Sequence, residues 1–299
     1  MKIITLPRVL ISGTALALLT ACGGTPTNPG TGPDPVPDPV PQYETLSSTA
    51  DATSVLGGTL VRRTVATNVD RQLLTTTGEL VHNTGKTTIT FGNGYDVLID
   101  PDGVDNNLIT DGPYFEGNAE VRITKKVSEG YDYAYSYFLW QKVGDITYAG
   151  IGVGGIVTQA QHVPTAGQAT YTGKARGSYQ GADGYHGIGN ATSGVDVDFG
   201  SGTVDVAITG FSTNASNPQL IDTIAVTGMN ISGNAFTGGT ISTTMNGAAV
   251  DITGPNTNTY IGGNFFGYDG ANSRPDEVAG VAEAHGDNNR RVQVTYIAD

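Results

Sequence analysis

The chain has 299 residues, with 28 acidic side chains against 15 basic ones, a formal charge of −13, 43 glycines and a single cysteine. Lys and Arg are few and scattered, so the basic footprint of a nucleic-acid binder is missing, and an anionic membrane surface repels the chain. One thiol excludes an internal disulfide, and the length leaves room for one or two domains with proper cores.

The N-terminus carries Lys2 and Arg8, then the apolar run Val9 to Leu19, then Leu19-Thr20-Ala21-Cys22. The apolar run is too short to span a bilayer, and a small residue stands before the cysteine, as a cleaved signal requires. The pattern resembles bacterial lipoprotein signals. It implies that residues 1–21 are removed and that Cys22 becomes the first mature residue, lipidated by acyl chains, palmitate among them. Two or more chains hold a protein stably on a membrane, so no transmembrane helix is required. The mature chain keeps 13 basic residues against 28 acidic ones, a charge of −15. With Cys22 lipidated, no thiol remains for zinc or for nucleophilic catalysis.

Residues 22–42 read as the lipidated cysteine and a tether. Pro26, Pro29, Pro33, Pro35, Pro37, Pro39 and Pro41 stand here with Asp34 and Asp38 between them, and almost nothing apolar is available to bury. In polyproline II, at about 3.1 Å per residue, this stretch reaches roughly 60 Å.

Residues 43–161 form a first, strand-rich region. Strand-like runs fall at Lys86 to Phe91, Tyr95 to Asp100, Tyr131 to Val143 and Ile146 to Thr158, the last two separated by Gly144-Asp145, which suits a tight hairpin. The rest of this region is irregular in pattern.

Residues 168–299 alternate more cleanly, and eight strands are predicted: Ala169 to Tyr179, Ala191 to Phe199, Thr203 to Phe211, Asp222 to Ile231, Ala235 to Met245, Thr259 to Gly267, Glu277 to His285 and Arg291 to Ala298. Gly-, Asn- and Ser-rich turns join them. Val204, Val206 and Ile208 oppose Thr203, Asp205 and Thr209, and Val195, Val197 and Phe199 oppose Asp196 and Asp198. Every strand has a dry and a wet face. Eight antiparallel strands with one apolar, glycine-dotted face predict an up-and-down β-barrel, with a two-sheet sandwich as the alternative. The chain is all-β: a smaller strand-rich domain followed by the barrel.

Gly262-Gly263-Asn264-Phe265-Phe266-Gly267 followed by Glu277-Val278-Ala279-Gly280 resembles the signature near the end of transferrin-binding protein B lobes and related surface lipoproteins. Ala169 to Gly177 is similar to that family's opening barrel strand, and Val197 to Val204 to its second hairpin. The resemblance covers most of residues 168–299 and implies a handle domain over 43–161 preceding the barrel. It further implies a non-catalytic, surface-exposed lipoprotein of the outer membrane that binds an extracellular protein or an iron- or haem-carrying ligand, with lipoprotein surface-export machinery as a further partner. Gly23 after Cys22 fits outer-membrane sorting by the same likeness. The family protein has two lobes, whereas this chain has room for one. Within the signature, Phe265 and Phe266 point to opposite faces of one strand, one into the barrel and one outward.

Other constellations carry less. Gly150 to Gly155 matches G-x-G-x-x-G, but no helix pattern opens after it, and the acidic Asp100 to Asp105 stretch lacks the glutamate of a calcium loop. No G-x-S-x-G or H-E-x-x-H pattern is present, so an enzyme is the least supported reading. Tyr131, Tyr133, Tyr135 and Tyr137 fall on one face of a predicted strand, opposite Phe138 and Trp140. Rigid amphipathic rings in a row mark a contact surface, and the four are the candidate partner-binding residues, with a half-buried sheet face as the alternative. No cofactor is required. In the alternative reading of a haem or small-ligand carrier, His82 or His162 is the haem ligand; a purely structural envelope protein is the remaining alternative.

Overall fold

The computed structural model describes residues 43 and 45, the strands lying between residues 53 and 123, and residues 130–143, 146–181, 184–211, 221–250, 252, 258–286 and 290–299. The signal, Cys22, the proline tether and the Gly144-Asp145 turn lie outside them.

The first region forms one antiparallel sheet. Its strands are β1 (Thr53–Thr64), β2 (Gln72–Asn83), β3 (Lys86–Phe91), β4 (Tyr95–Ile99), β5 (Gly112–Glu116), β6 (Ala119–Ile123), β7 (Ala134–Val143) and β8 (Ile146–Gly155). Their order across the sheet is β4-β3-β2-β1-β8-β7-β6-β5. Two hairpin meanders are therefore joined through β1 and β8, the first strand pairing with the last. Four of these strands (β3, β4, β7, β8) match the runs seen in the sequence; β1, β2, β5 and β6 are not among them. β7 begins at Ala134 rather than Tyr131, and the amides of Asp132, Tyr133 and Ala134 at its entry all donate to one side chain.

A short 3₁₀ turn, Ala160–His162, leads into the second region. Its strands are β9 (Gln168–Gly181), β10 (Gly184–Asp198), β11 (Thr203–Thr209), β12 (Ile221–Ser232), β13 (Ala235–Thr237), β14 (Thr240–Met245), β15 (Ala248–Val250), β16 (Asn258–Phe266), β17 (Glu277–His285) and β18 (Arg291–Ala298). β9 pairs with both β10 and β18, and β11 pairs with β12, so the antiparallel order closes into a ring. β13 and β14 are two halves of one barrel strand. Both pair with β12, but β13 pairs on its other side with β16 and β14 with the short β15. Counting them as one, and leaving aside the short β15, which pairs only with β14, gives the eight strands of the sequence reading, and ring closure excludes the sandwich.

Alternation fixes what fills the ring. Val195, Val197, Phe199, Val204, Val206, Ile208, Ile224, Val226 and Phe236 are all buried in one continuous core with Tyr171, Tyr179, Phe265 and Tyr296. Phe265 sits with its ring centroid 5.8 Å from Phe199 and 5.3 Å from Phe236. An eight-stranded ring is just wide enough for such side chains to fill it. The opposite face of β9 to β12 is wet, with Asp196 accepting from the Thr170 hydroxyl at 2.8 Å and Asp205 from the Gly228 amide at 2.7 Å.

On one side the barrel's outer face is dry as well. Phe266, Ala279 and Ile297 point outward and are buried with Tyr131, Ala134 and Val153 of the first region. Fully burying a phenylalanine is worth about 1.5 to 3 kcal/mol, so Phe266 alone is a substantial share of this seam. Chain continuity tightens it: Val157 bridges Phe266, the Thr158 amide donates to the Phe265 carbonyl at 2.9 Å, and the Gly267 amide donates to the Ile156 carbonyl at 2.9 Å.

Candidate functional site

The seam gathers Tyr131 and Tyr133 of the tyrosine row with Phe266 and Glu277 of the signature. Its centre is Glu277, the first residue of β17. The side chain is 3% exposed and faces three successive backbone amides, those of Asp132, Tyr133 (3.0 Å) and Ala134 (2.6 Å), which all donate to the carboxylate. Burial nevertheless pushes the Glu277 carboxyl up to about 7, outweighing the amides, which hold it down. Asp276 beside it is also raised, by burial first and by the nearby Asp269 carboxylate next. The Tyr133 hydroxyl donates to Asp276, and burial with these carboxylates pushes the phenol up to about 12.

The glycines of the signature make room for this arrangement. Gly267 has φ +62°, and a β-carbon there would overlap the Tyr133 ring. Inside the barrel, a β-carbon on Gly280 would overlap the Tyr296 hydroxyl. The signature thus serves two walls at once: Phe265 and Gly280 face the lumen, whereas Phe266, Gly267 and Glu277 face the seam. Sequence reasoning found the opposed phenylalanines and quoted Glu277 in the signature without giving it a role; an acidic residue opening a strand whose next five residues are apolar or glycine was the available signal.

The tyrosine row requires correction as a contact surface. Tyr131 is 3% exposed, its hydroxyl donating to the Ile297 carbonyl at 3.0 Å and accepting from the Lys174 amide at 3.0 Å. Tyr135 is 1% exposed, and Ala134 and Ser136 beside it are buried too. Both faces of the start of β7 are covered, so Tyr131 and Tyr135 are unavailable to an outside partner. Tyr133 is half-buried in the seam, and the side chain of Tyr137 lies outside the described residues.

Of the histidines, His82 is in β2, opposite Thr87, with its side chain outside the described residues. His162 ends the 3₁₀ turn. Its Nδ1 shares a hydrogen bond of 2.8 Å with the Tyr43 hydroxyl, which also accepts from the Gln159 amide at 2.8 Å. The Tyr268 ring lies 4.9 Å from the His162 ring and 6.2 Å from that of Tyr43. Among the described residues, no group of three or more His, Cys, Asp or Glu side chains could hold a metal ion. No helix among them is long and apolar enough to cross a membrane.

The loop between β16 and β17 is held from both regions. Arg274 lies over the Tyr171 ring at 5.3 Å, and the Tyr171 hydroxyl donates to the Pro275 carbonyl at 3.0 Å. Asp269 caps the loop, accepting from the Ala271 amide at 2.8 Å and from the Asn272 side chain. The arrangement is one of positioning: hydrogen bonds, rings and a buried carboxylate fix one sheet against one barrel.

Comparison with known proteins agrees with this architecture. Residues 163–299 match the family model described as the C-lobe and N-lobe beta barrels of Tf-binding protein B. No curated protein sequence matches the chain. Among solved structures, a single-residue variant of transferrin-binding protein B from Haemophilus parasuis Hp5 is 18% identical with a TM-score of 0.50, over 82% of this chain and 45% of that one. A double variant of the same protein gives 17% identity and a TM-score of 0.50, over 82% of this chain and 44% of that one. The chain therefore spans less than half the length of these solved relatives, and shares their fold.

Proposed function

We propose, from the premise of a transferrin-binding protein B-like barrel lobe, that this chain is a lipid-anchored capture protein of the bacterial outer surface, binding an extracellular macromolecule without transforming it. An iron-carrying protein of the transferrin type is the first candidate, by likeness to the solved relatives. The observation that carries the reading is the filled lumen. Lipocalin-type barrels of eight strands hold a small ligand inside, but here Tyr171, Phe199, Phe236, Phe265 and Tyr296 occupy that space. A partner uses the outside, and a large partner fits an outside surface better than a small one does.

The N-terminal segment supports display. A cleaved signal, Cys22 as the lipid attachment point and a proline-rich spacer are what a folded lobe needs to stand off a membrane.

The test is direct binding. The mature chain carrying Cys22→Ser, immobilised through its C-terminus, is exposed to iron-loaded and iron-free transferrins and, separately, titrated with haemin. Saturable binding of a protein ligand supports the reading. A Soret shift with stoichiometric haemin uptake, and no protein bound from any host fluid, replaces it with the haem-carrier alternative.

A further inference from the structure

The spacer meets the folded lobe at Tyr43, and that residue is not loose. Its hydroxyl is held by the Gln159 amide and by His162 Nδ1, both at 2.8 Å, and its ring packs edge-on to His162, with centroids 5.9 Å apart, and tilted toward Tyr268. Burial raises the phenol above its ordinary range, as expected for a docked tyrosine. The three residues come from three places: the foot of the tether, the turn between sheet and barrel, and the loop after β16. Chain separation of 119 residues between Tyr43 and His162 makes this a tertiary contact and not a local one.

All of these groups lie at one end of the barrel. That end also carries the β10–β11 turn at Ser201 and the β12–β13 turn, where the Asn234 side chain donates to the Thr158 carbonyl at 2.8 Å. The opposite end carries the β14–β15 turn at Asn246, since Met245 pairs with Ile221 at the far end of β12.

We propose that Tyr43 is a clasp which docks the foot of the tether onto His162 and Tyr268, so that the lobe is held from the Ser201 end and swivels about that point. A lipid anchor, on the reading above, then pulls on one defined end of the barrel, and the Asn246 end is directed away from the attachment. Without the clasp, the fixed point of suspension passes from Tyr43 to the start of β1 at Thr53, and the spacer lengthens by the residues between them.

Distances between spin labels test this in the soluble Cys22→Ser chain, so the outcome does not depend on lipidation. Gln42→Cys is paired with Ser201→Cys in one sample and with Asn246→Cys in another. Half of the length of a 12-residue strand separates a docked from an averaged position, and the full tilted strand, about 25 to 30 Å, separates the two ends. The expected result is a narrow distribution for both pairs, the 42–246 distance exceeding the 42–201 distance by roughly 20 Å or more. Tyr43→Ala broadens both severalfold, and Tyr43→Phe, which keeps the ring and loses the hydroxyl, broadens them less. Equal distances to the two ends, or distributions in the parent as broad as in Tyr43→Ala, overturn the proposal. A melting transition within about 2 °C of the parent confirms that Tyr43→Ala acts on the tether rather than on the fold. Loss of partner binding with an intact distance pattern counts against the capture function alone.

Discussion

The Ala134 amide points at Glu277 Oε2 across 2.6 Å, although the two residues stand 143 positions apart in the chain. With the amides of Asp132 and Tyr133 aimed at the same carboxylate, one side chain from the barrel organises the entry to β7 of the sheet.

Removing that carboxylate should loosen the seam. Glu277→Ala leaves buried amides without an acceptor, at about 1 to 3 kcal/mol for each one water cannot reach. Glu277→Gln keeps an acceptor oxygen in nearly the same place and should cost less than half as much. Urea unfolding of both variants, followed by tyrosine and tryptophan fluorescence, checks the order.

The same group predicts a pH dependence. Its carboxyl lies at about 7 in the folded protein, above the 4.5 of an ordinary glutamate, so the folded state holds a proton the unfolded state has released. The stabilisation from that proton is complete below about pH 4.5 and is lost as pH rises through 7. Over this window Glu277 alone should lower stability by up to roughly 3 kcal/mol, with the raised Asp276 adding in the same direction. Midpoints of urea unfolding between pH 5 and 8 measure the slope. Glu277→Gln should flatten it; an unchanged slope assigns the titration to another group.

The two phenylalanines of the signature should separate barrel from seam. Phe265→Ala removes a ring from the lumen and should cost about 3 to 5 kcal/mol both in the whole chain and in a fragment of residues 163–299. Phe266→Ala should cost a similar amount in the whole chain but almost nothing in the fragment, where its ring faces water. The fragment also exposes Ala279 and Ile297, so it should be less soluble than the full protein.

Gly267→Ala should destabilise by about 1 kcal/mol from its left-handed backbone alone, and by more because the methyl displaces the Tyr133 ring. Tyr133→Ala should recover part of that loss. A double-mutant cycle on thermal unfolding gives the coupling, which is zero if the ring and the glycine are independent.

Tyr133→Ala combined with Tyr135→Ala should lower the melting temperature, since Tyr135 is fully buried. Any accompanying loss of partner binding would then follow the fold. An unchanged melting temperature would contradict the burial of the Tyr135 ring.

The barrel was legible in the sequence because its wet and dry faces differ residue by residue: Asp196 and Asp198 outside, Val195 and Val197 inside. The sheet was half legible. β1 reads Thr-Ser-Val-Leu-Gly-Gly-Thr-Leu-Val-Arg-Arg-Thr, with no alternation to mark a dry face. The tyrosine row shows the limit of periodicity most clearly. A period of two tells which side a ring takes, but not whether another layer covers that side: Tyr131 is covered by the barrel, whereas Tyr135 alternates with the seam residue Ala134 and is buried on the opposite face. That one of Phe265 and Phe266 points outward follows from the strand period, but that it is Phe266, and what it meets, is set by residues more than a hundred positions earlier.

The splice of Val157 onto Phe266 has a consequence for how the protein is made. The sheet is synthesised first, but its fastenings, Phe266, Glu277 and Ile297, belong to the strands synthesised last. Until those emerge, the eight-stranded sheet stands with the start of β7 uncovered, so the slow, long-range step of folding is the docking of a finished sheet onto a barrel that has just closed.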